Sequence, residues 1–108
     1  HSEAFYQQAI HRANRYGAFI GQPYYMALTA YYEIGGRLQE ALDTQQMYLD
    51  LLVGKAKPFR ESCTRLHIIR LKKALNQDVV EDVAQLRETV KALTAPEYIL
   101  DQLKSILI

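Results

Sequence analysis

The chain contains very little cysteine, proline, glycine or tryptophan. Its 108 residues include one Cys, three Pro, five Gly and no Trp. A single cysteine cannot form an internal disulfide, which excludes the small secreted scaffolds that depend on disulfides. The scarcity of proline and glycine excludes collagen-like and linker-like chains. Because 49% of the residues are hydrophobic and 23% are charged, we expect residues 1–108 to form one globular domain.

An excess of charge of one sign is also lacking. The chain has 13 Lys and Arg against 12 Asp and Glu, which gives a net charge of +1. This balance disfavours a chain that is attracted to polyanions over its whole surface. Within residues 55–73, however, the only acid among many basic residues is Glu61. That segment is either a solvated helix face or a contact surface for nucleic acid, and it lacks interleaved aromatics beyond Phe59.

No run of residues is apolar enough to cross a membrane. The longest stretch without a formal charge, residues 16–32, is interrupted by Gly17, Gly21 and Pro23. We therefore expect no membrane partner. The single reduced cysteine favours a cytoplasmic location.

Hydrophobic residues recur mainly with helical periodicity along the chain. Alternation at period two is nearly absent, and no Asn-Gly or Asp-Gly hairpin signal occurs. The pattern therefore predicts an all-α fold of about six helices joined by short links. The first three helices are expected from Ser2 to Tyr16 with Gly17 as the stop, from Pro23 through Tyr32, and from Leu38 to near Gly54. The fourth helix is expected from Pro58 to residues 75–77. The fifth follows the N-cap Asp78, with Glu81 as its capping-box partner, and the sixth follows Pro96.

Two features recur along the chain at nearly constant spacing. Pro23-Tyr24 returns 35 residues later as Pro58-Phe59, and Ala9-Ile10 returns 32 residues later as Ala41-Leu42. A recurrence of this length over paired helices is typical of tetratricopeptide-type stacking.

Residues 27–42 resemble the junction between the two helices of a tetratricopeptide repeat. The matching positions are Leu28, Thr29, Tyr32, Gly36, Leu38 and Ala41. The sequence motif Gly-Arg-Leu-x-Glu-Ala-Leu looks especially like repeats of large bacterial LuxR-type regulators and related signalling proteins. The resemblance implies antiparallel helix pairs stacked as a right-handed solenoid. It also implies a protein–protein interaction module of a cytoplasmic regulatory protein, with a role in transcription regulation.

The resemblance further implies where a partner would bind. Concave contacts come from the first helix of each pair in this family. Mapped onto this sequence, those positions form a partner-binding groove of Met26, Ala30, Glu33, Ile34, Glu61, Arg65, Ile68 and Ile69. The basic, Asn-containing clamp for C-terminal carboxylates is not present, so we expect a helical or extended peptide with apolar anchors.

Tyrosine is unusually frequent, with eight residues in all. Tyr24 and Tyr31 are seven residues apart, as are Tyr25 and Tyr32, so each pair forms its own stripe two turns long. Adjacent residues point about 100° apart on a helix, so we expect one stripe in the core and the other on a groove. Tyr24 and Tyr31 are the candidate aromatic contacts, and packing between repeats is the alternative.

Catalytic and metal-binding patterns are missing. Cys63 and His67 could share a helix face, but they supply only two of the ligands that a structural zinc needs. There is no Gly-rich phosphate loop and no nucleophile elbow. We therefore predict no enzyme activity, no cofactor and no metal.

Both ends of the chain are expected to be cut points. It begins with His1 and closes on an apolar run, which is typical of a fragment of a longer protein. A cut solenoid exposes an apolar face, so we expect a homodimer through the terminal helices. The last helix would supply Ile99, Leu103, Ile106, Leu107 and Ile108.

Two other functions stay open at this point. The chain could form a closed helical bundle that serves as an effector or dimerisation domain. Alternatively, it could be a helical domain that contacts nucleic acid through residues 55–73.

Overall fold

The computed structural model describes residues 2–16 and 21–106, and all regular structure in these residues is helical. This confirms the predicted all-α class and the six helices for the described part of the chain. The helices are α1 (Glu3–Ala13), α2 (Gln22–Ile34), α3 (Leu38–Leu52), α4 (Pro58–Ala74), α5 (Val80–Val90) and α6 (Glu97–Ile106). The stop predicted at Gly17 lies outside the described residues.

Most of the predicted helix ends are in place. The Ser2 hydroxyl accepts a hydrogen bond from the Phe5 backbone N–H at 3.3 Å, which caps the start of α1. Proline occupies the first turn of α2 and of α4, where its missing N–H costs nothing. Gly36 and Gly54 have positive φ angles of 76° and 80°, which glycine adopts without strain after α2 and α3.

Helix α5 begins later than its sequence predicts. The Asp78 carboxylate accepts a hydrogen bond from the Val80 N–H at 3.0 Å, but the residue at the N-cap position is Val79. The later start turns Val80 to solvent with 60% of its surface exposed, whereas Val79 is buried. The apolar spacing of α5 predicts that both valines face inward, which is wrong for Val80.

Each helix packs against the next one along the chain, and α4 also packs against α6. Among the described residues α1 contacts only α2, so the six helices do not close into a ring. The described chain is flat, with extents of 36 × 31 × 18 Å.

The buried side chains form two separate hydrophobic cores that meet at α4. The first core contains side chains of α1, α2, α3 and α4, and the second contains side chains of α4, α5 and α6. Helix α4 supplies Ile68 and Leu71 to the first core and Leu66 and Ile69 to the second. Both sides of α4 are therefore buried.

The crossing of α2 and α3 depends on small and polar residues as well as on apolar ones. Ala41 is fully buried in the same core as Leu28 and Tyr32, as the repeat pattern predicts. The one polar residue in the apolar stripe of α3 is Gln45, which is buried and donates to the Thr29 hydroxyl at 2.8 Å. This bond satisfies an amide that would otherwise be costly to bury.

An ionic network joins the start of α1 to the link between α2 and α3. The Arg37 Nη1 lies 2.8 Å from Glu3 Oε2, and the Tyr32 hydroxyl donates to Glu3 Oε1 at 2.8 Å. Arg37 also pairs with Glu40, and its guanidinium lies 4.7 Å from the centre of the Tyr32 ring. These contacts, with Arg37 as the strongest, lower the pKa of Glu3.

Two sequence expectations about apolar surfaces are wrong. The spacing of Phe59, Cys63 and Leu66 predicts one shared buried face of α4, yet 47% of the Phe59 surface is exposed because this residue lies in the first turn of the helix. The apolar stripe of α6 was expected to form an exposed terminal face. Its described members Ile99, Leu103 and Ile106 are instead buried in the second core, and Leu107 and Ile108 lie outside the described residues.

Every helix in the part of the chain that the structure describes is too short or too polar to cross a membrane.

Candidate functional site

A wide depression on the described surface lies along α4. It has a volume of about 780 Å³, its floor is α4, and its two walls are α3 and α5. The walls pack on α4 but do not contact each other among the described residues, so the groove stays open. We call it the α4 groove. Its lining consists of Gln46, Leu49, Pro58, Glu61, Ser62, Arg65, Ile68, Ile69, Lys72, Asp82, Ala84, Gln85, Leu86, Glu88 and Thr89.

The structure divides the predicted partner-binding residues between different places. Arg65, Ile68 and Ile69 line the α4 groove together with Glu61. The four positions on α2 do not line it. The predicted residues of α2 and α4 therefore do not line one groove, since α3, which packs against both helices, forms the wall of the α4 groove instead of α2.

The four α2 residues differ among themselves. Met26 is half-buried against the first core, whereas Ala30 is exposed. Ile34 has 89% of its surface exposed at the C-terminal end of α2. Glu33 lies at a second, smaller pocket between α2, α4 and α6.

The isoleucines of the α4 groove belong mainly to the cores. Only 6% of Ile68 and 3% of Ile69 is exposed, since each also packs into one of the two hydrophobic cores. They close the floor of the groove but offer a partner little apolar surface. Their expected role in partner binding stays a prediction, and their burial shows that they also belong to the two cores.

Each charged residue that lines the α4 groove forms an ion pair. Arg65 Nη2 lies 3.1 Å from Glu61 Oε1, and Lys72 Nζ lies 3.2 Å from Asp82 Oδ2. Glu88 pairs at 2.9 Å with Lys91, whose ammonium group lowers the pKa of that carboxyl. The lining therefore carries three acids and two bases.

Three basic residues of segment 55–73 are divided between the two pockets. Arg65 and Lys72 line the α4 groove, whereas Arg70 lines the second pocket and donates to Gln102. Since the two depressions lie on different sides of α4, these charges do not make the continuous positive track that a polyanion needs.

The second pocket, of about 500 Å³, brings together Cys63 and His67 as their spacing predicts. His67 Nε2 lies 2.6 Å from Glu33 Oε1 on α2. Burial raises the pKa of the Cys63 thiol, which keeps the sulfur protonated and poorly nucleophilic. Within residues 2–16 and 21–106, no three His, Cys, Asp or Glu side chains are grouped to hold a metal ion.

The two tyrosine stripes separate as the helical geometry predicts. Tyr25 and Tyr32 are buried in the first core. Tyr24 is half-buried against that core, and the partly exposed Tyr31 makes an edge contact with Tyr6 at 6.4 Å between ring centres. Neither Tyr24 nor Tyr31 lines the α4 groove or the second pocket.

Sequence reasoning missed both walls of the α4 groove. It assigned contacts only to α2 and α4, whereas Gln46 on α3 and Ala84, Gln85 and Thr89 on α5 form much of the lining. Gln85 and Thr89 are one turn apart, on the side of α5 opposite its valine stripe. This pair of polar residues was the sequence signal that could have indicated a wall of the groove on α5.

No protein-family model, curated protein or solved structure matches this chain.

Proposed function

We propose that the chain is a helical-repeat module that binds a protein or peptide partner in the α4 groove. The observation that carries this proposal is an open groove of about 780 Å³ between two helices that share only their neighbour α4. Concave sites of this size between helices are common places for ligands and peptides. The module needs no cofactor and performs no reaction.

The proposal extends to the parent protein. The resemblance of residues 27–42 to tetratricopeptide repeats supports a cytoplasmic regulatory or sensory protein of bacterial type, with roles such as transcription regulation. It also supports antiparallel pairs stacked as a right-handed solenoid. The helix order, in which each helix packs on the next, is compatible with such stacking.

The two other functions have less support. The pairing of Arg65 with Glu61 and of Lys72 with Asp82 leaves little free positive charge for nucleic acid in the α4 groove. The separation of α1 from α6 in the described residues disfavours a closed bundle. Homodimerisation through α6 has less support, because Ile99, Leu103 and Ile106, on which that expectation relied, are buried.

The test selects partners and then blocks the groove. The chain is used to select binders from a random linear peptide library, and each binder is measured against two matched variants. Ala84→Arg places a bulky side chain in the groove from an exposed position on α5. Ala4→Arg makes the same change at an exposed position on α1, outside the groove.

We expect selected peptides to lose binding to Ala84→Arg and to bind Ala4→Arg like the unmodified chain. Both substitutions are at exposed positions, so both variants should keep their helicity and melting midpoint. A failure to select peptides that distinguish the two variants would contradict the proposal. Heparin binding that falls steeply with salt and is lost in Lys72→Glu would favour the nucleic-acid alternative instead.

A further inference from the structure

We infer that the occupant of the α4 groove is an uncharged peptide segment that is held by a hydrogen bond to the buried hydroxyl of Ser62. This inference rests on the proposed function and specifies its partner.

The floor of the α4 groove contains a buried polar side chain that is not paired within the described chain. Ser62 lines the groove, only 2% of it is exposed, and its hydroxyl makes no hydrogen bond to a described residue. Other helical hydroxyls of the chain are satisfied locally, since those of Thr44, Thr64 and Thr89 each donate to the carbonyl four residues earlier. Because a buried hydroxyl without a partner is costly, a ligand that supplies one gains affinity at this point.

The Ser62 hydroxyl is within reach of such a ligand. Among the described residues, the side-chain polar atoms that are both unpaired and closed off from solvent do not include the Ser62 oxygen. This oxygen is unpaired, so it is not closed off, and the groove that Ser62 lines gives access to it. A hydroxyl both donates and accepts, so an N–H or a C=O group of the occupant can bind it.

The charges of the lining favour an uncharged occupant. Each charged residue that lines the groove already forms an ion pair, and the pair closest to Ser62 in sequence joins Arg65 to Glu61 at 3.1 Å. A charge on the occupant would lose part of its hydration on entering the groove and would find no free opposite charge there. An uncharged segment avoids this cost.

The accessible apolar surface of the lining favours the same kind of segment. Pro58 on α4 and Ala84 on α5 are exposed, and Leu49 on α3 is half-buried. All three helices of the groove thus offer an apolar contact in addition to the Ser62 hydroxyl. Apolar side chains of the occupant cover this surface while one of its polar groups binds Ser62.

The experiment uses the best groove-dependent peptide from the library selection described above, one that loses binding to Ala84→Arg. Its affinity is measured by calorimetry for the unmodified chain, for Ser62→Ala and for the control Thr64→Val. Thr64 is also buried on α4, but it lines neither the α4 groove nor the second pocket, and its hydroxyl already donates to the Arg60 carbonyl. The melting midpoints of the free chain and of both free variants are measured alongside.

We expect Ser62→Ala to weaken binding about three- to tenfold, the range for one hydrogen bond, and Thr64→Val to bind the peptide like the unmodified chain. Free Ser62→Ala should keep or raise the melting midpoint, because the change removes a buried polar group that has no partner in the chain. Weaker binding without a loss of stability separates a ligand contact from a structural one.

Changes in the peptide identify the group that Ser62 contacts. Each polar side chain is replaced in turn by alanine, and each backbone amide by an ester, which removes the N–H and weakens the C=O as an acceptor. One of these changes should weaken binding to the unmodified chain by a similar factor and cause no further loss with Ser62→Ala, because the same bond has already been removed. Either a Lys or an Asp introduced next to that group should weaken binding, since neither finds a free opposite charge in the groove.

Groove-dependent peptides that bind Ser62→Ala as tightly as the unmodified chain would overturn the inference, as would peptides whose affinity depends on a charged side chain. A lower melting midpoint of free Ser62→Ala would also overturn it, since the hydroxyl would then already be paired inside the chain. If such peptides still lose binding to Ala84→Arg, the proposed function stands and only recognition through Ser62 fails. If no selected peptide depends on the groove at all, both fail.

Discussion

Ala41 is the smallest side chain in the first core, and its fully buried position leaves no room for a larger one. We expect Ala41→Leu to lower the free energy of unfolding by about 1–3 kcal/mol, because the added carbons force neighbouring side chains to move. Ala4→Leu adds the same atoms at an exposed position and should leave stability nearly unchanged. Urea denaturation of both variants checks this, and equal midpoints would contradict it.

The carboxylate of Glu3 makes stability depend on acid. Arg37 and Tyr32 lower its pKa in the folded chain below the ordinary value of 4.5. The stabilisation is therefore complete above pH 4.5 and is lost as the pH falls through the lower, folded-state pKa. We expect Glu3→Gln to be less stable than the unmodified chain at neutral pH, and the difference should shrink in acid.

Thermal unfolding across a pH series measures this difference. Asp50→Asn is the matched control, because Asp50 is exposed on α3 and forms no ion pair with a described residue. A stability difference between Glu3→Gln and the unmodified chain that stays constant with pH would show that the network contributes nothing through ionisation.

Side chains that follow helical periodicity could be placed from the sequence alone. The burial of Ala41 and the split between the Tyr25 and Tyr24 stripes follow from spacing, since a period of 3.6 fixes which positions share a face. Gln46 and Gln85 could not be placed in this way. Their position in the lining of the α4 groove depends on which helices flank α4, and a pattern within one helix carries no information about its neighbours.

Helix α4 shows how periodicity fails when both sides of a helix are buried. Its apolar residues divide between two cores, so they do not make the single stripe that identifies an inward face. The spacing along α4 therefore predicts one broad apolar face. Burial on two sides explains why Ile68 packs in the first core while its neighbour Ile69 packs in the second.

Ile34 and Ile69, two isoleucines of the predicted partner-binding groove, should respond very differently to replacement by aspartate. Ile69→Asp places a carboxylate in the second core and should unfold much of the chain, with a loss of several kcal/mol. Ile34→Asp changes a side chain that is 89% exposed, and its stability should stay within about 0.5 kcal/mol of the unmodified chain. Circular dichroism melts distinguish them, and similar losses in both would contradict the assignment.

The whole molecule has two cores joined through one helix, and this arrangement should give two units of local stability. Leu103→Ala removes a fully buried side chain from the second core and should cost about 2–5 kcal/mol. Leu42→Ala makes the equivalent change in the first core. We expect the first variant to speed amide exchange mainly in α5 and α6, and the second mainly in α1 to α3.

Amide hydrogen exchange followed by mass spectrometry measures both effects in the full chain. Exchange in α4 should rise in both variants, since this helix belongs to both cores. A uniform increase over all helices in either variant would show that the chain opens as a single unit.

The contact of α1 with α2 alone also has a mechanical consequence. When tension is applied to the two ends of the described chain, the same force acts on every helix in the series, so the least anchored contact breaks first. Detachment of α1 breaks one helix–helix contact, and its 11 residues then lengthen by roughly 20 Å when drawn out. Helix α4 has three neighbours, so we expect it to yield last. We therefore expect the chain to extend in steps that begin at α1.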